Sequence, residues 1–132
     1  MLPKDESTFN ISVVGDNTKE QYRGDFTVKT MMTNGELLQV AVAIDRAGGS
    51  SASLPVGYKL FIRSLAELDV LVVDCPKWWK NSEYGRTLKD QNVVGEIHAK
   101  ALSAQDEYKA KLAKAAEESE ALAKKEKTDA QG

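Results

Sequence analysis

The chain has 132 residues, and 18 Lys plus Arg against 20 Asp plus Glu leave a net charge of −2. That length fits one compact domain, and the balance argues against a protein held to nucleic acid by general electrostatics, which needs a basic excess. A single cysteine excludes an internal disulfide, no apolar run approaches the ~18 residues of a membrane span, and the opening MLPKDES has no leader-like apolar core, so a soluble protein of a reducing compartment is expected.

The first organised stretch is 8–14, where Phe9, Ile11 and Val13 alternate with Asn10 and Ser12. Period two is the mark of a half-buried strand. Gly15-Asp16-Asn17 supplies turn chemistry. The alternation then resumes over 20–30, with Tyr22, Phe26 and Val28 on one face and Arg23, Asp25, Thr27 and Lys29 on the other. The pair reads as an antiparallel hairpin with one wet face. Gly24, within the second run, marks a bulge or a close approach.

Thr33-Asn34-Gly35-Glu36 fits a capping box, a hydroxyl followed three residues later by a carboxylate. Leu37, Leu38, Ala41 and Ile44, with Val40 alongside, keep helical spacing up to Gly48-Gly49. The segment 48–57, GGSSASLPVG, is a loop too short to separate two domains. A second helix is predicted over 58–68, with Leu60, Phe61, Ile62, Leu65 and Leu68 on one broad face. The apolar, β-branched run 70–73 predicts a strand beside the hairpin, buried on both faces.

Beyond Pro76 the texture changes. Residues 77–89 carry Trp78, Trp79, Tyr84 and Gly85 in a polar setting and read as a loop anchored by aromatics. Asp90 is placed to cap a long final helix, whose Val93, Val94, Ile97, Ala101, Ala104, Tyr108 and Leu112 recur every three to four residues. After Leu112 the apolar positions are mostly Ala, with Leu122 the one large exception, and Glu107–Lys111 and Glu120–Lys124 are spaced as helical ion pairs. Residues 1–89 hold 11 basic and 11 acidic side chains, and 90–132 hold 7 and 9. The tail thus mixes signs and is neither a basic arm nor a polyanion.

Chemistry-bearing motifs are sparse. His98 is the one histidine, with no second His or Cys at metal-ligand spacing, and reads as structural. Cys75 lies between Asp74 and Pro76, and a neighbouring carboxylate disfavours the thiolate a nucleophile needs. Gly48-Gly49-Ser50-Ser51 lacks the lysine of a phosphate-binding loop. Asp69 and Asp74, or Glu117, Glu118 and Glu120, form no acid–base pair without a pocket. The expectation is therefore no catalytic residue, no metal and no cofactor. The Trp78-Trp79 pair is the most informative local feature. In an extended segment neighbouring rings point opposite ways, so one is expected to cover the fold and the other to be presented to a partner, where Trp is favoured. A stacking platform for single-stranded nucleic acid is the competing reading, with Lys77, Lys80, Arg86 and Lys89 nearby but offset by Asp74, Glu83 and Asp90.

The order of these features carries a resemblance. Tyr22-Arg23-Gly24-Asp25-Phe26-Thr27-Val28-Lys29 comes first, then Pro76-Lys77-Trp78-Trp79. Asn81, Gly85, Leu88, Asp90, Asn92-Val93-Val94 and Glu96-Ile97 follow, and then a charged Ala/Glu/Lys helix. Over nearly its whole length the chain resembles small proteins encoded among the structural genes of tailed bacteriophages. The resemblance implies a minor structural protein, or a tail-assembly-chaperone-like protein that binds tape measure and tube subunits and is absent from the mature particle. It implies other phage structural proteins as partners and a location in the virion or in host cytoplasm during assembly. It carries over no binding residue.

The expected fold is α+β: a small antiparallel or mixed sheet, packed helices and a long C-terminal helix. Residues 1–89 would form the core. Residues 90–132 would form the helix, docked by Val94, Ile97, Ala101 and Leu102 and then protruding. The expected function is non-enzymatic protein–protein contact, with self-association open and Trp78, Trp79, Tyr84, Leu112 and Leu122 as the partner-binding candidates. A nucleic-acid-binding accessory protein is the alternative from another class.

Overall fold

In a computed structural model the structure describes residues 5–131, with side-chain surroundings up to Glu126. The readings that rest on residues 1–4 and on the extreme C-terminus lie outside the described residues. The fold is α+β, with a three-stranded antiparallel sheet in the order β1-β2-β3. β1 (Glu6–Val14) and β2 (Gln21–Lys29) form the hairpin, in a register that pairs Phe9 with Phe26 and Ile11 with Gly24. The alternation does what period two dictates: Ile11, Tyr22, Phe26 and Val28 are buried, while Arg23 and Asp25 face solvent. Gly24 is a point of close approach. A Cβ there would lie 2.3 Å from the Pro76 ring, so the segment after the sheet crosses directly over this glycine.

α1 (Asn34–Arg46) begins with the capping box in full: Thr33 Oγ1 accepts from the Glu36 amide, and the Glu36 carboxylate accepts from the Thr33 amide. Glu36 also pairs with Lys29 and so ties the helix to β2; that ammonium, together with the Thr33 amide, holds the carboxyl below the usual carboxylate range. α2 (Val56–Leu71) is longer than its periodicity predicts at both ends. Leu68 and Leu71, three apart on one face, are both fully buried, so the helix takes in Val70 and Leu71, the first half of the segment read as strand. β3 is consequently only Val72–Asp74, an edge strand pairing Thr27 with Asp74 and Val28 with Val72. It is not buried on both faces, since Val73 is 50% exposed. The predicted α2 face is corrected as well: Leu60 points to solvent.

The stretch after Pro76 is not wholly loop. Pro76 opens a short helix, α3 (Lys77–Asn81), with φ −64° fixed by its ring and no amide that needs a partner. Three successive residues, Glu83, Tyr84 and Gly85, then take positive φ and turn the chain back. That turn needs a glycine at its end, because Gly85 lies on the Trp79 ring, where a Cβ would sit 2.6 Å from ring carbon. α4 (Gln91–Gln131) follows. Its buried residues are Val93, Val94, Ile97, Ala101 and Ala104, and they join Ile11, Phe26, Leu68, Leu71 and Trp79 in one core. Leu102, expected in the docked set, is turned outward. From Ala113 to Glu126 every residue is exposed except Ala115, which is half-buried. Lys100 Nζ and Asn92 Nδ2 on α4 donate to the carbonyls of Asn10 and Val14 at 2.9 Å each, and so fasten the helix to β1.

Candidate docking surface on the α1–α2 hairpin

Of the partner candidates read from the sequence, Trp78 and Trp79 are brought together, but against the core, and Tyr84 stands apart from the two leucines. Trp79 is 1% exposed and entirely core. Trp78 is half-buried, its indole N–H donating to the Arg23 carbonyl at 2.8 Å. Both rings meet Phe26 edge to face, at 5.8 Å from Trp78 and 5.7 Å from Trp79, and they meet each other at 6.2 Å. The expectation of opposite-facing tryptophans assumed an extended segment. On a helix, neighbours diverge by only about 100°, and both rings enter the same core. The Trp79 ring is therefore fully enclosed by protein, and Trp78 keeps only part of its surface open. Tyr84 is exposed on its strained turn, Leu112 is half-buried and Leu122 is exposed far along α4. Tyr84 thus lies in a different part of the chain from the two leucines.

Asp90 also departs from its expected role. It directly precedes α4, but its fully buried carboxylate reaches across to the β1–β2 turn. Oδ1 accepts the amides of Asn17 at 2.7 Å and Thr18 at 2.9 Å; Oδ2 accepts the hydroxyls of Thr18 at 2.5 Å and Tyr22 at 3.1 Å. The Thr18 hydroxyl, helped by these amides and by Tyr22, outweighs the cost of burial and lowers its pKa to about 2. Gly15 leaves the room this needs, since a Cβ there would fall 2.2 Å from the carboxylate. The result is a latch between the hairpin turn and α4.

One cluster has the residue types of a hydrolytic triad. Ser64 Oγ is 3.2 Å from His98 Nδ1, and His98 Nε2 is 3.6 Å from Glu67 Oε2. The geometry is wrong for a nucleophile. Ser64 Oγ donates to the Leu60 carbonyl at 2.9 Å, so its proton is engaged within the helix rather than offered to the imidazole. The amides around it belong to the α2 ladder, not to an oxyanion site. Glu67 takes Arg63 Nε at 2.7 Å, and His98 Nε2 is buried beyond hydrogen-bond reach of it. This buried glutamate carried no sequence signal beyond its i,i+4 arginine. Cys75 is half-buried, and burial, more than Asp74, pushes its thiol up. Among the described residues no three His, Cys, Asp or Glu side chains are grouped to hold a metal ion, and no helix is long and apolar enough to cross a membrane.

The unexplained chemistry lies instead on α1 and α2. Six large apolar side chains there face solvent: Leu37, Leu38, Val42, Val56, Tyr58 and Leu60. α1 contributes a single buried residue, Val40, to the fold. Its outward face, with Leu38 67% and Val42 48% exposed, forms an apolar strip along the helix together with Gly35, Ala43 and Arg46. On the other side, the seam between the helices leaves a groove of about 430 Å³, lined by Met32, Leu37, Ile44 and Leu60 with Lys59 and Arg63 at its wall. Scattered apolar residues on a surface are ordinary; here six are concentrated on the two sides of one helical hairpin. The sequence shows these residues as helical periodicity. It does not show that the fold has more apolar faces than it covers. Comparison with known protein families, curated proteins and solved structures finds no match.

Proposed function

We propose that the chain is a non-enzymatic protein of tailed-phage structure or assembly, working through contacts with other phage structural proteins. The observation that carries the contact reading is the uncovered apolar surface of α1 and α2, with α1 anchored at its start by the capping box and by the Glu36–Lys29 pair. Such a face gains by burial at about 25 cal/mol per Å², and an amphipathic helical surface suits helix-in-groove recognition. The phage setting rests on the resemblance of the Tyr22–Lys29 and Pro76–Trp79 segments and of the charged helix. Quantitative mass spectrometry of purified particles and of the producing lysate tests both parts. Stoichiometric presence in particles means a virion component. Presence only in lysate complexes with tube or tape-measure subunits means an assembly chaperone. Absence from both refutes the proposal.

A further inference from the structure

We infer that His98 is a proton-operated clasp between α2 and α4, which sets how firmly the α1–α2 hairpin is held to the rest of the fold. The clasp lies at the joint behind that hairpin, so it stands whether or not the hairpin's outer surface docks a partner.

The hydrogen bonds around the ring are satisfied in one protonation state only. Ser64 Oγ has one proton and donates it to the Leu60 carbonyl at 2.9 Å. Towards His98 Nδ1, 3.2 Å away, it can therefore only accept, so Nδ1 carries a proton. In a neutral imidazole the other nitrogen is then a bare lone pair. Nε2 is buried with no partner and stands 3.6 Å from Glu67 Oε2, so two acceptors face each other inside the protein. A second proton makes Nε2 a donor aimed at that oxygen, and closing from 3.6 Å to ~2.8 Å completes a charge-assisted hydrogen bond. Glu67 is buried, and Arg63 Nε holds only its other oxygen, Oε1, at 2.7 Å.

Among the described residues, Arg63 and Glu67 are the charged side chains that line the groove with His98; Leu60, Ser64 and Leu102 complete it. One turn to either side on α4 lie Val94, Gly95, Ala101 and Leu102, none of which titrates. Glu96 and Lys100 project from the opposite face of the helix, where Lys100 reaches the Asn10 carbonyl of β1. β1 and β2 share with α4 a core of apolar residues such as Ile11 and Phe26. The Tyr22–Asp90 contact lies some two turns before His98.

The position of the ring gives it leverage. α1 packs on α2, and α2 packs on α4 and β3, so Ser64, Glu67 and His98 lie where the hairpin joins the rest of the molecule. Between pH 5 and 8 histidine is the side chain that ordinarily changes charge, and this chain has one. The bonded, charged form adds stability that is present at lower pH and lost as pH rises. The hairpin should accordingly open more often at pH 8 than at pH 6, without unfolding of the sheet.

Native-state hydrogen exchange of the full-length chain at pH 6 and pH 8, corrected for the pH dependence of chemical exchange, tests the clasp. In the wild type, protection of the α2 amides should be higher at pH 6 by about fivefold or more, and that of the β1–β2 ladder unchanged. In Glu67→Gln the side-chain amide can donate to the bare Nε2, so the pH dependence should vanish; circular dichroism checks that this variant folds. The 15N resonances of the single imidazole give a readout that needs no variant: at pH 8 the proton should be on Nδ1. Protection of α2 that does not change with pH overturns the inference. So does equal pH dependence in Glu67→Gln, or a ring with its proton on Nε2 at pH 8. None of these readouts involves a partner, so failure of the clasp leaves the docking reading untouched.

Discussion

Asp90 is the residue on which the hairpin turn and α4 depend together. Its folded pKa of about 2 lies below the ordinary 3.8, so between these values the unfolded chain binds the proton and the folded chain does not. The stabilisation is therefore complete above about pH 4 and is lost as pH falls towards 2. Urea midpoints of wild type and Asp90→Asn should differ at pH 6 and converge as pH drops through that window; a difference independent of pH would show that the charge is not what the latch uses. The tryptophans give a second prediction. Trp79→Ala should cost about 3–5 kcal/mol, the range for a buried large aromatic. Trp78→Ala should cost less, about 2–3 kcal/mol, from partial burial and the lost bond to Arg23. Denaturant unfolding of both variants checks the order, and a Trp78→Ala protein as stable as wild type would contradict the packing around Phe26.

At the scale of elements, legibility followed locality. The hairpin and the α1 capping box were readable because each is written in neighbouring residues: Phe9, Ile11 and Val13 against Tyr22, Phe26 and Val28, and Thr33 with Glu36. The run Val70–Val73 is a strand beside the hairpin only from Val72 on; its first half stays helical, because β-branched character is a local signal, whereas the demand that Leu68 and Leu71 share one buried face is tertiary. Asp90 was placed correctly at the start of α4, but its partners lie some 72 residues away in sequence, beyond any spacing rule. The candidate site was least legible, because uncovered and covered helical faces have the same periodicity; Leu38 and Val40 differ only in what the fold puts beside them. The arm makes an element-scale prediction. Among the described residues, ending the chain after Lys114 removes only exposed ones and the half-buried Ala115, so its melting temperature should stay within a few degrees of the full-length value. A large drop by differential scanning calorimetry would mean that the distal helix belongs to the core.

For the whole molecule, one end is closed and the other open. The sheet, α3 and the first half of α4 share a core around Phe26, Ile97 and Trp79, while α1, the start of α2 and the distal part of α4 present apolar surface that this core does not need. If the proposed contacts use that surface, stability and contact lie in different places and should separate by mutation. The most direct measurement pairs the melting temperature of Leu38→Glu/Leu60→Glu with its incorporation into particles or into complexes with phage structural proteins. Both side chains are exposed, at 67% and 60%, so melting at low protein concentration should change by no more than a few degrees while incorporation falls at least tenfold. A variant that folds and is incorporated as well as wild type would contradict the docking face.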